Sequence, residues 1–244
     1  MNLSWPDGTA LVRFDELDST NSQARRLAEK GEQGPLWIVA GRQMEGRGRR
    51  GRVWHSGEGN LAATLLLRPK APAGVTGQLS FAAALAVTEM AQHCAPAAAI
   101  QVKWPNDVLA DGKKLAGILL ESGEDALGRW LAVGIGVNLA NSPPGTEFPA
   151  TSLAQLGLAP PSSDDALTVL AARFAHWYDV WMSEGFQTVR AAWLARAGGV
   201  GKSIRARLPD AVHEGVFEGV DASGALLLNQ QGRVRAIAAG EVFF

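Results

Sequence analysis

Cysteine is almost absent: Cys94 is the single one in 244 residues. An intrachain disulfide is therefore excluded, which fits a reducing compartment and a cytoplasmic protein. Cys94 falls near the end of an alanine-rich segment, where a packed thiol is expected rather than a nucleophile. No apolar run reaches the length needed to cross a bilayer, and no basic segment followed by an apolar core opens the chain, so neither a membrane span nor a leader is expected. His55, His93, His176 and His213 are scattered without metal-ligand spacing, which argues against a structural zinc site. An excess of one charge sign is also lacking. The net charge of −1 removes any global lean toward nucleic acid. There is neither an internal repeat nor a low-complexity tract. What remains is 47% hydrophobic and 19% charged, enough material for one large domain plus a small one.

Against that even background one stretch stands out, residues 41–54. Arginines at 42, 47, 49, 50 and 52 fall within eleven positions, Gly46, Gly48 and Gly51 lie between them, and Trp54 closes the run. Arginines this dense cannot all be buried and need water or a polyanion. The glycines allow left-handed backbone and exposed N–H groups, which with guanidinium forks suit phosphate oxygens. A solvated basic loop or a nucleic-acid patch is the plain alternative. The stretch sits inside a folded-looking region rather than a tail, which favours a small phosphorylated ligand.

Short strands are expected at 10–14 and 36–40, with a helix at 22–30 stopped by Gly31. Asp18-Ser-Thr-Asn21 precedes that helix. One cap is needed and four candidates are present, leaving some free to hold a ligand at the positive helix end. A buried strand over 60–68 and an alanine-rich helix over 77–93 follow. Residues 100–110 read as a strand interrupted at Pro105, where the chain must leave the sheet and display Asn106 and Asp107. Asp111-Gly112 signals a hairpin into a strand at 113–121. The strand at 129–139 carries Gly134 and Gly136, which thin one face so that something can approach the backbone. Residues 141–149, with three prolines, read as a mobile loop. Helices over 164–184 and roughly 186–196 come next, the first with a core stripe including Phe174, Trp177 and Trp181. After the glycine-rich 197–201, short alternating strands suggest a small β-barrel rather than a catalytic module. This places a catalytic unit at 1–197 and a barrel at 198–244.

Taken together, Asp18-Ser-Thr-Asn21, Gln43 with the 46–54 run, Lys103-Trp-Pro-Asn-Asp107, Lys114-Leu-Ala-Gly-Ile118 and Gly134-Ile-Gly-Val-Asn138 resemble the biotin–protein ligases, in that family's order. The resemblance covers almost the whole chain, the tail being similar to the family's SH3-like barrel. It implies an α+β fold, a mixed sheet with flanking helices of the class II aminoacyl-tRNA-synthetase type. It also implies a two-step reaction: ATP and biotin give biotinyl-5′-adenylate, and the biotinyl group then passes to a lysine of a biotin carboxyl carrier protein of acetyl-CoA carboxylase. By the same resemblance Ser19, Thr20, Asn21 and Gln43 meet the ureido ring. Arg47, Gly48 and Arg49 wrap the biotin tail and phosphate. Lys114, beside Gly117, faces the carboxylate and α-phosphate, and Lys114 and Arg49 are the catalytic candidates. Arg52 and Asn106 are candidates for the triphosphate, Asn138 for the nucleotide, Trp54 for adenine stacking, and Asp107 for orienting a lysine or the incoming amine. Mg²⁺ is expected on ATP, held largely by phosphates and water. Some members carry an N-terminal helix-turn-helix that represses transcription. Here the catalytic strand begins by residue 10, so the expectation is a monofunctional ligase without specific DNA binding, and by family analogy alone a homodimer through sheet edges. A lipoate ligase of the same fold and a nucleic-acid-binding module are the rival readings.

Overall fold

The computed structural model describes residues 4–244, so the first three residues of the lead-in at 1–8 lie outside the described residues. Strand β1 (Ala10–Leu17) runs into helix α1 (Thr20–Glu29), which carries the chain over to β2 (Leu36–Gln43), parallel to β1. A parallel pair needs such a crossover, whereas antiparallel pairs can be joined by tight turns. Strand β3 (Leu61–Leu67) pairs antiparallel with β2. The short α2 (Ala73–Thr76) and long α3 (Leu79–Cys94) lead to β4 (Ile100–Lys103), β5 (Asp107–Ala110), β6 (Lys113–Asp125) and β7 (Gly128–Val137). The resulting mixed sheet has the order β1-β2-β3-β7-β6-β5-β4. Helices α4 (Ser163–Glu184) and α5 (Phe186–Leu194) precede five antiparallel strands: β8 (Ser203–Arg207), β9 (Val212–Val220), β10 (Leu226–Gln230), β11 (Arg233–Ile237) and β12 (Glu241–Phe243).

Residues 36–40 are apolar without a break because both faces of β2 are covered. Trp37 and Val39 enter the large core under α3 and α4, while Leu36 and Ile38 face Ala24 and Ala28 of α1. The same period of two divides β3: Leu61, Ala63, Leu65 and Leu67 join the large core, and Thr64 is left on the α1 side. Alanines in α3 let that helix sit close to the sheet, with Ala82, Ala83, Ala84 and Ala86 at most 1% exposed. Cys94 is a half-buried free thiol at the edge of this core, and burial pushes it up from its ordinary value.

The five C-terminal strands share that core instead of forming one of their own: Ile204, Phe217, Val220 and Leu226 belong to the same cluster as α3 and α4. Trp104 Nε1 donates to the Gly224 carbonyl at 3.0 Å, and β4 bridges to Ala197. The barrel is therefore held against the turn that carries Pro105.

That turn corrects one expectation. Residues 100–110 are two strands, with Lys103 opposite Asp107 in an antiparallel register. At Pro105 the chain reverses within the sheet and does not leave it. Other elements run longer than their apolar pattern: β1 continues to Leu17 and β6 to Asp125. Their extra residues pair in register with β2 and β7, so backbone hydrogen bonds extend them where side-chain alternation has faded.

Candidate active site

Helix α1 starts at the cavity. Ser19 is its N-cap, accepting from the Ser22 amide, so the helix begins two residues earlier than its apolar pattern. Asp18 receives the Ser19 amide at 2.7 Å and takes Arg26 bidentately at 2.7 and 2.8 Å. The Arg26 hydrogen bonds, opposed by burial and helped by the Ser19 amide and the Arg26 and Arg47 charges, hold the Asp18 carboxyl at about 2. A depressed folded value means stabilisation that is complete above the unfolded value of about 3.9 and is lost as pH falls toward 2. Both partners are more than one-third exposed, so the contribution is discounted to about 1 kcal/mol. Asp18→Asn should accordingly cost about that much near neutrality and almost nothing near pH 2, measured by urea unfolding at both ends.

Beyond the cap lies a closed polar network. Thr20 donates to Gln43 Oε1 from its amide (2.8 Å), its hydroxyl lies 3.0 Å from the same oxygen, and Gln43 Nε2 donates to Ser56 (2.9 Å). Asn21 Nδ2 donates to the Leu119 carbonyl (3.2 Å) and to Glu121 (2.8 Å), and Thr64 donates to Asn21 Oδ1 (2.7 Å). These groups are neutral apart from Glu121. They suit a neutral polar ring.

Glycines make the floor. Gly117 on β6 faces Gly136 on β7, and Leu119 faces Gly134. A Cβ on Gly134 would collide with the Asn21 carboxamide, and one on Gly136 with the Trp54 indole. The approach expected at these glycines is thus made first by the chain's own side chains.

The arginine run forms a hairpin over this floor, with Trp54 N donating to Gly46 O, Gly48 N to Arg52 O, and Arg47 bridging Val53. Only part of the glycine expectation holds. Gly51 has φ +70°, but Gly48 is extended (φ −102°, ψ −175°), and Arg50 itself takes φ +56°. Gly46 serves another need, since a Cβ there would strike the Trp54 carbonyl. Three arginines turn toward the protein: Arg47 to Ser22 Oγ (2.9 Å) and Glu121 (3.5 Å), Arg49 to Gly240 O (3.3 Å) and Asn106 (3.5 Å), and Arg52 to Glu241 (2.7 Å).

The opposite end is cationic. Lys114 Nζ lies 2.7 Å from Asp107 Oδ1 and 5.6 Å from the Trp54 ring centre, while Lys103 Nζ is 3.8 Å from Asp107 and 3.7 Å above the Phe148 ring. Burial pushes both Lys103 and Arg49 below their ordinary values, with the Asp107 charge opposing that in each. Four cations, Lys103, Lys114, Arg49 and Arg52, meet three carboxylates here, Asp107, Glu147 and Glu241, which leaves a surplus of one positive charge that is costly to bury. An anion entering here would relieve it.

Ser19, Thr20, Asn21, Gln43, Arg47, Gly48, Arg49, Arg52, Trp54, Asn106, Lys114 and Gly117 line one cavity of about 270 Å³. Asn138 does not line it: 2% exposed, it donates to the Thr151 carbonyl behind Lys114, and its Oδ1 is buried without a partner. Several contributors carried no local signal. Glu241 and Phe243 come from the last strand, so the barrel walls the cavity and is not remote from it. Glu147 and Phe148 come from the 141–149 loop, where Glu147 pairs with Arg207 and Arg52. Thr64 is the one polar residue of an otherwise apolar β3, and Glu121 stands where β6 passes from its apolar middle to a polar end. Period-two counting could have assigned them to the glycine face, but nothing in their immediate neighbours marks them.

Known proteins resemble this chain along almost its whole length. The model of the Biotin/lipoate A/B protein ligase family matches residues 14–138, a span that holds every motif named above, and that of the Biotin protein ligase C terminal domain matches residues 199–244. A biotin--[acetyl-CoA-carboxylase] ligase of Paracoccus denitrificans is 46% identical over 93% of this chain and 97% of its own length. The bifunctional ligase/repressor BirA of Bacillus subtilis is 36% identical over 96% of this chain and 74% of its own length. Among solved structures, the biotin protein ligase from Aquifex aeolicus in complex with biotin and ATP superposes with a TM-score of 0.83, at 28% identity, over 96% of this chain and 97% of that one. The mixed sheet and the five-stranded C-terminal sheet are those of the biotin ligase fold, and the chain belongs to the biotin/lipoate A/B protein ligase family.

Proposed function

We propose that this chain activates biotin with ATP and transfers it to a lysine of a carrier protein. One observation carries the reading: motif residues from five separate segments meet in one cavity that is neutral and polar at one end and richer in cations at the other. Biotin has a neutral ureido ring and an anionic tail, and ATP adds a polyphosphate. The Ser19, Thr20 and Gln43 end accepts the ring, and the Lys114, Arg49 and Arg52 end accepts the charge. A biotin carboxylate oxygen attacks the α-phosphorus, the bond to the β-phosphate oxygen breaks, and pyrophosphate leaves. A carrier lysine amine then attacks the acyl carbon and AMP departs with the anhydride electrons. Lys114 sits where charge shifts in the first step, and such fixed charges are worth most when water is excluded. Asp107, paired with Lys114, is the carboxylate placed to orient the incoming amine. Asn106 and Arg52 serve the triphosphate, Trp54 offers its face to adenine, and Asn138 supports the nucleotide end from behind Lys114. We assign the catalytic unit to 1–197 and the barrel to 198–244, with the cavity walled by both.

Mg²⁺ fits as a companion of ATP. Among the described residues no group of three or more His, Cys, Asp or Glu converges as ligands, and Glu147 and Glu241 are engaged by arginines. The phosphates and water would hold the ion, which would neutralise polyphosphate charge.

Biotin-dependent exchange of pyrophosphate into ATP tests the reading, and lipoate in place of biotin tests the rival activity. Exchange with biotin alone is expected; exchange driven by lipoate would overturn the substrate assignment. The nucleic-acid alternative is weakened because Arg47, Arg49 and Arg52 are each engaged by groups of the chain itself, although Arg47 and Arg52 stay exposed. Arg49→Gly removes a guanidinium that closes the cavity against Asn106 and Gly240 O. We expect at least about tenfold faster adenylate escape, given the usual worth of charged hydrogen bonds. It is read as biotin label on bystander lysines; labelling confined to the carrier would remove Arg49 from that role.

A further inference from the structure

The cavity's polar end depends on a residue with no part in the reading above. Strand β6 places Gly117, Leu119 and Glu121 on one face, with Gly136, Gly134 and Ala132 of β7 opposite them. Glu121 is therefore the carboxylate at the far end of the glycine floor. Its Oε2 takes Asn21 Nδ2 at 2.8 Å and lies 3.5 Å from Arg47 Nη2. We propose that Glu121 is a positioning residue that fixes the Asn21 amide in the biotin pocket and ties down the base of the arginine loop. This rests on the biotin-activating reading of the cavity.

The first half follows from the amide's own inventory. Asn21 spends both N–H bonds on acceptors, the Leu119 carbonyl and Glu121, and its oxygen on the Thr64 hydroxyl. A carbonyl and a carboxylate on one side permit only this orientation of the amide. With its one proton given to Asn21, the Thr64 hydroxyl can only accept from Thr20 Oγ1, 2.8 Å away, so the orientation set at Glu121 also directs the Thr20 hydroxyl, while the Thr20 amide holds Gln43. Gly134 leaves just enough space for the Asn21 carboxamide, so it cannot swing toward the sheet to find another partner.

The second half follows from the charges around Arg47. This arginine is at the foot of the hairpin, where it bridges Val53. Two carboxylates lie near it, Asp18 and Glu121. Asp18 is taken by both nitrogens of Arg26, which leaves Glu121 as the ion-pair partner. Ser22 Oγ, in the first turn of α1, accepts the other Arg47 nitrogen at 2.9 Å. The loop base is thus fastened to α1 and β6 at the same corner that orients Asn21. Glu121 joins ligand floor and lid through a single oxygen.

Two substitutions separate the two contacts. Glu121→Gln keeps an oxygen for Asn21 Nδ2 but drops the charge facing Arg47; Glu121→Ala removes both. For Glu121→Ala we expect the biotin KM to rise about tenfold, the usual effect of losing a hydrogen bond to a charged group, with the ATP KM unchanged. Glu121→Gln should restore the biotin KM to within about twofold. In the protein without ligands, both variants should be cut by trypsin inside the 46–54 loop about threefold faster than wild type, as expected for a partly exposed ion pair, and the difference should vanish at high salt. An unchanged biotin KM in Glu121→Ala, a parallel rise in both KM values, or loop cleavage at the wild-type rate overturns the proposal. The proteolysis arm needs no biotin chemistry, so a wild-type protein without biotin-dependent exchange would sink the functional reading and leave the Glu121–Arg47 tie separately measurable.

Discussion

Lys114→Ala should reduce biotin-dependent ATP–pyrophosphate exchange by about a hundredfold to a thousandfold while the chain stays folded. Removing one preorganised group from a site of developing charge typically costs that much. Lys114 is at the junction the reaction needs, between the Trp54 ring and Asp107, with its strand held from behind by the Thr151 amide and Asn138. The fold should tolerate the change. Asp107 keeps Lys103 at 3.8 Å, so its carboxylate is not stranded, and Lys114 is itself partly exposed. Lys114→Arg retains the charge but replaces a compact ammonium by a planar fork, so it should recover binding of ATP better than exchange. A far-UV spectrum and melting temperature near those of wild type would show that lost exchange is chemical. Wild-type exchange in Lys114→Ala would refute the role.

Why Lys114 was legible and Glu121 was not is a matter of range. Lys114 lies in a segment whose residue types are tied together locally: a hairpin turn, a lysine pair and a glycine that admits close approach. The arginine run is also local, and its density alone demanded an anionic or solvated partner. Glu121 is an ordinary glutamate near the end of a strand, and its importance comes from α1 and the arginine hairpin, 100 and 74 residues away in sequence. Glu241 and Phe243 were hidden for the same reason, because a short strand's pattern cannot reveal which wall it completes. The reversal at Pro105 is not legible from the sequence because proline reports a lost donor, and a break and a turn lose the same one. Gly134 and Gly136 lie between these cases. Their pattern announced a close approach, but which groups approach was decided by the path of residues 21 and 54.

Gly136→Ala carries the other large expected effect, and it follows from that approach. The added methyl would fall within the Trp54 indole, which rests on the floor between Gly136 and Gly117. An indole cannot yield by a single rotation as a lysine tip can. The hairpin 46–54 is tied to Gly46 O through the Trp54 amide, so lifting the ring lifts the loop. Overpacking of this kind costs about 1–3 kcal/mol, and here it falls on the group assigned to adenine, so the ATP KM should rise by about tenfold or more while the biotin KM moves less. Gly117→Ala is the milder comparison, since its methyl would sit 3.1 Å from the edge of the same ring. The decisive measurement is a double-mutant cycle. In a Trp54→Ala background the methyl at 136 meets no ring, and the second substitution should then cost almost nothing. If Gly136→Ala is equally harmful with and without the indole, the floor is thinned for some other reason and Trp54 is not what the glycine accommodates.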